Sequence, residues 1–442
     1  MTTPTTRTSR PADLNRPLRP GPIPHSRPPG WPQGRPNWPL DHLLGRLLAR
    51  VPLLALVLFL SGIAGCGGGG SGTPGPPAVY SNQIAVQLLA NTWNIPTVSV
   101  TLCVPGTSTC QTIGNILLDT GSVGLRISHS ALSLRLSPVT DGGGDVNECF
   151  TFSSGSVFGP VVSADVVLGG EPAVTVDVQV TNANLTLPSS CTNVSSVISE
   201  GINGILGVGY PFTQYDYGTY YTCPSSGCST TTTSLSCSNS NGPAPCQVAN
   251  PVFSFPSDNN GILLSMPSIS SGGAPPPVYG ILTFGINTQS DNGLSGLTVY
   301  TVSSANACGS SSSFLDASFT GGSSGSCAFL DSGSNGLFFG AGTFTSGGTT
   351  FTVCGQYNSW YCTSPSPAPV SLTLTGANGT TGSFALSVLS ENTIAASNNI
   401  AWNDLAGPYR ANGTFDAGLP FFFGRTVAVG FETAGQTPFW AF

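Results

Sequence analysis

The sequence predicts an all-β protein made of two similar halves, and three observations carry that expectation. Short apolar runs rich in Val, Leu, Ile and Phe are separated by clusters of Gly, Ser and Asn, the pattern of many strands joined by turns. Beyond residue 65 no long stretch shows the apolar spacing of a helix. Finally, Asn115-Ile-Leu-Leu-Asp-Thr-Gly-Ser-Val-Gly-Leu-Arg-Ile127 parallels Cys327-Ala-Phe-Leu-Asp-Ser-Gly-Ser-Asn-Gly-Leu-Phe-Phe339. Two copies of one supersecondary unit, about 210 residues apart, imply two related units facing each other.

Length and charge bound the rest. A chain of 442 residues with 39% apolar content suffices for two domains with buried cores. There is no Lys, and eight of the twelve Arg precede residue 51, so the remainder is acidic, with only Arg126, Arg135, Arg410 and Arg425 as cations. Such a surface repels nucleic acid and anionic lipid, which excludes nucleic acid as an expected partner.

The leader is read in three parts. Residues 1–50 are Arg/Pro-rich and have no core; either translation starts downstream of Met1 or this is a disordered cytoplasmic extension. Residues 51–65 form an apolar run behind Arg46 and Arg50, too short to span a bilayer comfortably and fitting a signal peptide. The run ends in Ile63-Ala64-Gly65-Cys66, which resembles the bacterial lipobox. That resemblance implies cleavage before Cys66, a lipid on Cys66 as the membrane partner, and a place at the cell envelope. Residues 66–80, rich in Gly and Pro, then form a flexible tether.

Twelve further Cys make an even number in an exported chain, which implies disulfides. The near neighbours Cys103/Cys110, Cys223/Cys228, Cys237/Cys246 and Cys354/Cys362 are placed to close short loops. The connectivity stays open. A zinc site is set aside, because the spacings do not suit it and His129 is the one His after the leader. The first domain is expected over 81–250, with a Tyr- and Cys-rich surface insertion at 213–250. New strands are expected from Pro251 onward, forming a second domain over 251–442. Phe421-Phe422-Phe423 reads as core strand.

The repeated motif has a chemical logic. An apolar strand places Asp119 or Asp331 at the end of a rigid element. Thr120 and Ser332 carry hydroxyls able to bond the neighbouring half's backbone. Gly121 and Gly333 permit a tight turn, and Ser122 and Ser334 can donate to the carboxylate. If the two turns meet, both acids cannot ionise together, and the pair holds a shared proton. Such a pair can activate a water with one Asp and protonate a carbonyl oxygen with the other. No metal, cofactor or covalent intermediate is required. Gly321-Gly-Ser-Ser-Gly325 matches a serine-hydrolase elbow only formally, since it lacks the strand–turn–helix setting.

With these residues in view, the chain resembles the pepsin-like aspartic proteases over residues 81–442. Asn203-Gly-Ile-Leu-Gly-Val-Gly-Tyr-Pro211 looks like the segment that crosses behind the first catalytic turn, with Ile205, Leu206 and Gly207 completing a psi-shaped loop. Phe150-Thr-Phe-Ser-Ser-Gly-Ser-Val-Phe-Gly159 is similar to the flap hairpin. The resemblance implies a two-lobed double-psi β-barrel with an interlobe cleft, Asp119 and Asp331 as the catalytic pair, and a peptide or protein as substrate. The departures are specific. Phe152 stands where the family has a flap Tyr, Gly124-Leu125-Arg126 replaces an apolar-Trp pair, and Asp416-Ala417-Gly418 is the best second-half counterpart of the crossing segment. The expected function is an envelope-anchored, monomeric aspartic endopeptidase. The alternatives are a catalytically silent relative that binds peptide or glycan, and a structural surface lipoprotein.

Overall fold

The computed structural model describes residues 75–442 except 78, 183, 195–197, 199–200, 210–215, 236–246, 303–313, 321–323, 341–343, 355–358, 410–412 and 434. The leader, Cys66 with most of its tether, Cys237, Cys246 and most of Gly321-Gly-Ser-Ser-Gly325 therefore lie outside the described residues.

The described chain is all-β. In the first half, β1 (Gln83–Leu88), β2 (Pro96–Cys103), β3 (Cys110–Asp119) and β4 (Val123–Ser128) precede a short β5 (Ser137–Pro138). They are followed by β6 (Asp145–Phe152), β7 (Gly155–Val167), β8 (Val174–Thr181), β9 (Gly204–Val208) and β10 (Thr219–Cys223). The second half begins with β11 (Gly261–Ser265), β12 (Tyr279–Phe284), β13 (Val299–Thr301), β14 (Leu315–Phe319), β15 (Ser324–Leu330) and β16 (Leu337–Phe339). Then come β17 (Phe344–Ser346), β18 (Thr349–Val353), β19 (Tyr361–Thr363), β20 (Ala368–Thr375), β21 (Thr381–Val388), β22 (Ala406–Gly407), β23 (Thr414–Ala417), β24 (Thr426–Gly430) and β25 (Phe439–Ala441).

Alternation explains the strands. In β8 the β-branched side chains Val174, Val176, Val178 and Val180 all point inward and are buried. In β20 Val370, Leu372 and Leu374 do the same while Pro369 and Ser371 face out. Strand β9 is different: all five residues are buried, because it is covered on both faces.

Three sheets result. The largest runs β10-β6-β7-β8-β4-β9-β3-β2-β1 and continues into the second half as β12-β11-β24-β25-β13. The junction is an antiparallel pairing of β1 with β12, in register from Gln83 opposite Thr283 to Gln87 opposite Tyr279. A second sheet orders β21-β20-β14-β15-β23-β16-β22, and a third joins β17, β18 and β19. One apolar core, from Val86 and Leu118 to Leu330 and Phe415, spans both halves.

One arrangement occurs twice. Strand β9 lies between β3 and β4, parallel to the first and antiparallel to the second, so that Leu206 faces both Leu118 and Leu125. Strand β23 lies in the same way between β15 and β16, and Ala417 faces both Leu330 and Leu337. Asp416-Ala417-Gly418 thus takes the register position of Ile205-Leu206-Gly207.

Disulfides join Cys103–Cys110, Cys223–Cys228 and Cys354–Cys362, as the spacing suggests, and also Cys149–Cys191, which it does not. Three local expectations are corrected. Residues Pro251–Ser254 form a 3-10 turn capped by the Asn250 side chain, so strands resume only at Gly261. Leu419–Phe422 is a short helix; Phe421, Phe422 and Phe423 are core, but Pro420 in the first turn favours helix over strand. The region from residue 213 is not simply a surface insertion either. Thr219–Cys223 extends the sheet beside β6, and Tyr220 and Tyr221 are buried there.

Candidate functional site

The two repeated turns meet. The Thr120 backbone N–H donates to Ser332 Oγ at 3.1 Å, and the Ser332 N–H donates to Thr120 Oγ1 at 2.9 Å. Each hydroxyl in turn donates across to the strand end of the other half, Thr120 to the Leu330 carbonyl at 2.8 Å and Ser332 to the Leu118 carbonyl at 2.7 Å. Thr120 and Ser332 are essentially inaccessible, so these four bonds work without competition from water. The sequence supplies what this needs: a small hydroxyl residue directly after each Asp, at the end of an apolar strand.

The glycines fit tightly. A Cβ on Gly121 would stand 2.6 Å from Asp331 Oδ1, and one on Gly333 would stand 2.6 Å from Asp119 Oδ1. Each turn thus needs Gly to admit the other turn's carboxyl group. Gly207 is constrained similarly, since a Cβ there would lie 2.8 Å from Ser122 Oγ.

Each carboxyl is held by its own turn. The Gly121 N–H donates to Asp119 Oδ1 at 2.7 Å and Ser122 Oγ donates to Asp119 Oδ2 at 2.5 Å. On the other side, the Gly333 N–H donates to Asp331 Oδ1 at 2.8 Å, and Ser334 Oγ reaches Asp331 Oδ2 at 2.8 Å. Burial, above all, pushes the Asp331 carboxyl well above its ordinary range; the charges of Asp119 and Asp416 and a hydrogen bond with Asp119 push the same way, and Ser334 opposes them. The two carboxyl groups are therefore in hydrogen-bond contact.

A cavity of about 330 Å³ opens beside the pair. Its wall includes Gly121 and Ser122 of the first turn, Phe150 and Phe152 of the β6–β7 hairpin, Tyr217, and Asp416 of β23. This volume is at the small end of ligand sites and suits one or two side chains of a longer ligand.

The hairpin rests on a buried cation. Arg126 is fully buried on β4; its guanidinium donates to Glu148 Oε1 at 2.7 Å and to Asp216 Oδ2, and reaches the Val123 carbonyl at 2.8 Å. It lies 3.7 Å from the Phe150 ring centre and 5.6 Å from that of Phe152. The two rings meet edge to face at 4.7 Å. Burial raises the Glu148 carboxyl well above its ordinary range; Arg126 pulls it down and Asp216 adds to the rise. The Asp216 carboxylate also accepts from the Tyr220 hydroxyl at 2.6 Å. Sequence reading left Arg126 as a departure from a family pattern and did not place Glu148 or Asp216 at all. Their separation along the chain hides the cluster.

Other candidates fall away from this centre. His129 is exposed in a short 3-10 turn. Cys354, Cys362 and Glu391 have ligand-type atoms within 4.8 Å of one another. Both sulfurs are spent in a disulfide, which leaves no thiolate for a metal. Among the described residues no helix is long and apolar enough to cross a membrane.

Residues 78–442 match a family model described as protein of unknown function, DUF3443. The chain belongs to this family. The match spans both repeated turns, the hairpin over Arg126 and both crossing strands. Comparison with curated proteins returns no match.

Proposed function

We propose that this DUF3443 protein is an aspartic endopeptidase of the two-lobed, double-psi pepsin type, with lobes over 81–250 and 251–442. The observation that supports it most is the reciprocal pairing of the two turns, which brings Asp119 and Asp331 into hydrogen-bond contact in a buried setting. In this reading the pair holds one shared proton. The ionised member takes a proton from a water that attacks the peptide carbonyl carbon, while the neutral member gives its proton to the carbonyl oxygen. Backbone and hydroxyl donors from Gly121, Ser122, Gly333 and Ser334 hold the carboxyls in place. The β6–β7 hairpin covers an extended peptide, whose side chains enter the cavity lined by Phe150, Phe152 and Tyr217.

The lipobox-like segment ending at Cys66 supports an exported protein, lipid-anchored at the bacterial envelope and acting as a monomer on peptide or protein substrates. Hydrolysis of a mixed peptide library between pH 3 and 7 tests the activity. Wild-type cleavage that Asp119→Asn and Asp331→Asn both abolish supports it; equal cleavage by either variant refutes it.

A second reading keeps the fold and drops the reaction, making the cleft a peptide- or glycan-binding groove. The commitment of the Phe152 ring to Phe150 and Arg126 favours it, because position 152 carries no hydroxyl to place a substrate. A statine peptide separates the two at pH 4, since a proton-sharing pair binds this transition-state mimic and raises the melting temperature.

A further inference from the structure

Ser334 has one hydroxyl proton and two carboxyl neighbours. Its Oγ lies 2.8 Å from Asp331 Oδ2 and 2.8 Å from Asp416 Oδ2. One proton cannot be donated twice, so the second contact is a hydrogen bond only if a carboxyl group supplies the proton. Both contacts are hydrogen bonds at once only if one of the two acids is neutral.

The other partners decide which. Asp331 Oδ1 accepts from the Gly333 N–H at 2.8 Å and the Ser334 N–H at 3.2 Å. Burial and the charges of Asp119 and Asp416 raise Asp331 too, but with the Ser334 hydroxyl on Oδ2 a negative charge there would be met by three donors. Asp416 is 4% exposed, and its Oδ1 is buried without a partner among the described residues. A charge there would be nearly unsolvated.

We propose that Asp416 is a third acid of this site, a neutral carboxyl whose O–H donates to Ser334 Oγ and so directs the Ser334 hydroxyl onto Asp331. Asp416 is then a positioning residue, acting on the pair through Ser334. Its bearing on catalysis rests on the peptidase reading, whereas the position of the proton does not.

The surroundings agree. Asp416 lies opposite Phe329 of β15 and Phe338 of β16, its charge acts on Asp331, and it feels the charge of Asp119 from the first half. The cavity wall also carries Tyr217, Tyr409 and Asp216, and among the described residues it contains no Lys or Arg. Burial holds the Asp416 carboxyl well above its ordinary range, outweighing the opposing Ser334 contact, and Asp119 adds to the rise. When Asp416 finally ionises, it competes for the Ser334 hydroxyl and sets a second negative charge beside the pair. The alkaline fall of activity should then involve two protons, one from the pair and one from Asp416.

The near-isosteric Asp416→Asn variant of the full chain tests this, because its amide still donates to Ser334 but cannot titrate. In the infrared difference spectrum at pH 7, wild type minus variant, one protonated-carboxyl carbonyl band that shifts in D2O is expected. Absence of that band overturns the proposal. In peptide hydrolysis, the alkaline limb should change from a two-proton to a one-proton slope; an unchanged limb overturns the coupling to the pair. If the band is present but neither protein cleaves any peptide, the peptidase reading fails and the neutral acid stands.

Discussion

The Arg126 guanidinium lies 3.7 Å from the centre of the Phe150 ring, so the hairpin that shares a cavity wall with the first acid turn is seated on a fully buried cation. Glu148, on the same hairpin, and Asp216 both bond that cation through one guanidinium nitrogen, Nη2. The position of the hairpin is thereby tied to β4, the strand that follows the first acid turn.

Removing the cation should cost stability. Arg126→Met leaves Glu148 and Asp216 buried without their counter-ion, and a loss of about 3–5 kcal/mol is expected in urea unfolding. The triple variant Arg126→Met/Glu148→Gln/Asp216→Asn should recover much of it, because no charge then remains buried. A single variant as stable as wild type would show that the cluster is electrostatically idle.

The acid pair should tolerate Asn structurally but not chemically. Asp119→Asn and Asp331→Asn each remove the proton exchange on which the proposed reaction depends. Peptide hydrolysis is expected to fall by at least roughly 10²–10⁴-fold. The urea midpoint should hold or rise, since burial disfavours the charged pair. Loss of activity together with a large loss of stability would point to misfolding rather than chemistry.

The contact between the turns should depend on hydroxyls rather than shape. Thr120→Val keeps the volume but deletes the donor to the Leu330 carbonyl and the acceptor for the Ser332 N–H. A destabilisation of about 1–3 kcal/mol is expected. Thr120→Ser should restore most of it, and if Val and Ser behave alike the bonds carry no net stability.

Acid should stabilise this protein. Each described carboxyl displaced from its ordinary range is displaced upward. Glu171 moves to about 7, mainly through burial and then through Asp258, and Asp177 and Asp404 move to about 6 through burial. Glu148, Asp331 and Asp416 are raised as well. The native state therefore holds protons that the unfolded chain releases. Their contribution is complete below the unfolded carboxyl values of about 4 and is lost as pH rises through 6 and 7. The melting temperature should be higher at pH 5 than at pH 8, and a rise between those values would contradict the burial of these groups.

The sequence made some of this legible and hid the rest for physical reasons. The Asp119 and Asp331 turns and the Ile205-Leu206-Gly207 crossing are local patterns, as are the short disulfide loops, and local patterns survive in sequence. The pairing of β1 with β12 and the Cys149–Cys191 bridge join distant segments, and no spacing rule reports them. Asp416 was visible only as a poor match for an apolar position. Its meaning depends on Ser334, which lies 82 residues earlier.

The reciprocal fit of Gly121 on Asp331 and Gly333 on Asp119 is the geometry of an isologous contact, the kind that two identical subunits make across a twofold axis. In a true homodimer any substitution beside one acid is forced on the other. Here both copies lie on one chain, and their neighbours have diverged: Ser334 faces the carboxyl of Asp416, while the matching position behind Ser122 is held by Ile205. Covalent linkage has released the pair from symmetry, so that its two members can differ in acid strength while the contact that holds them stays twofold.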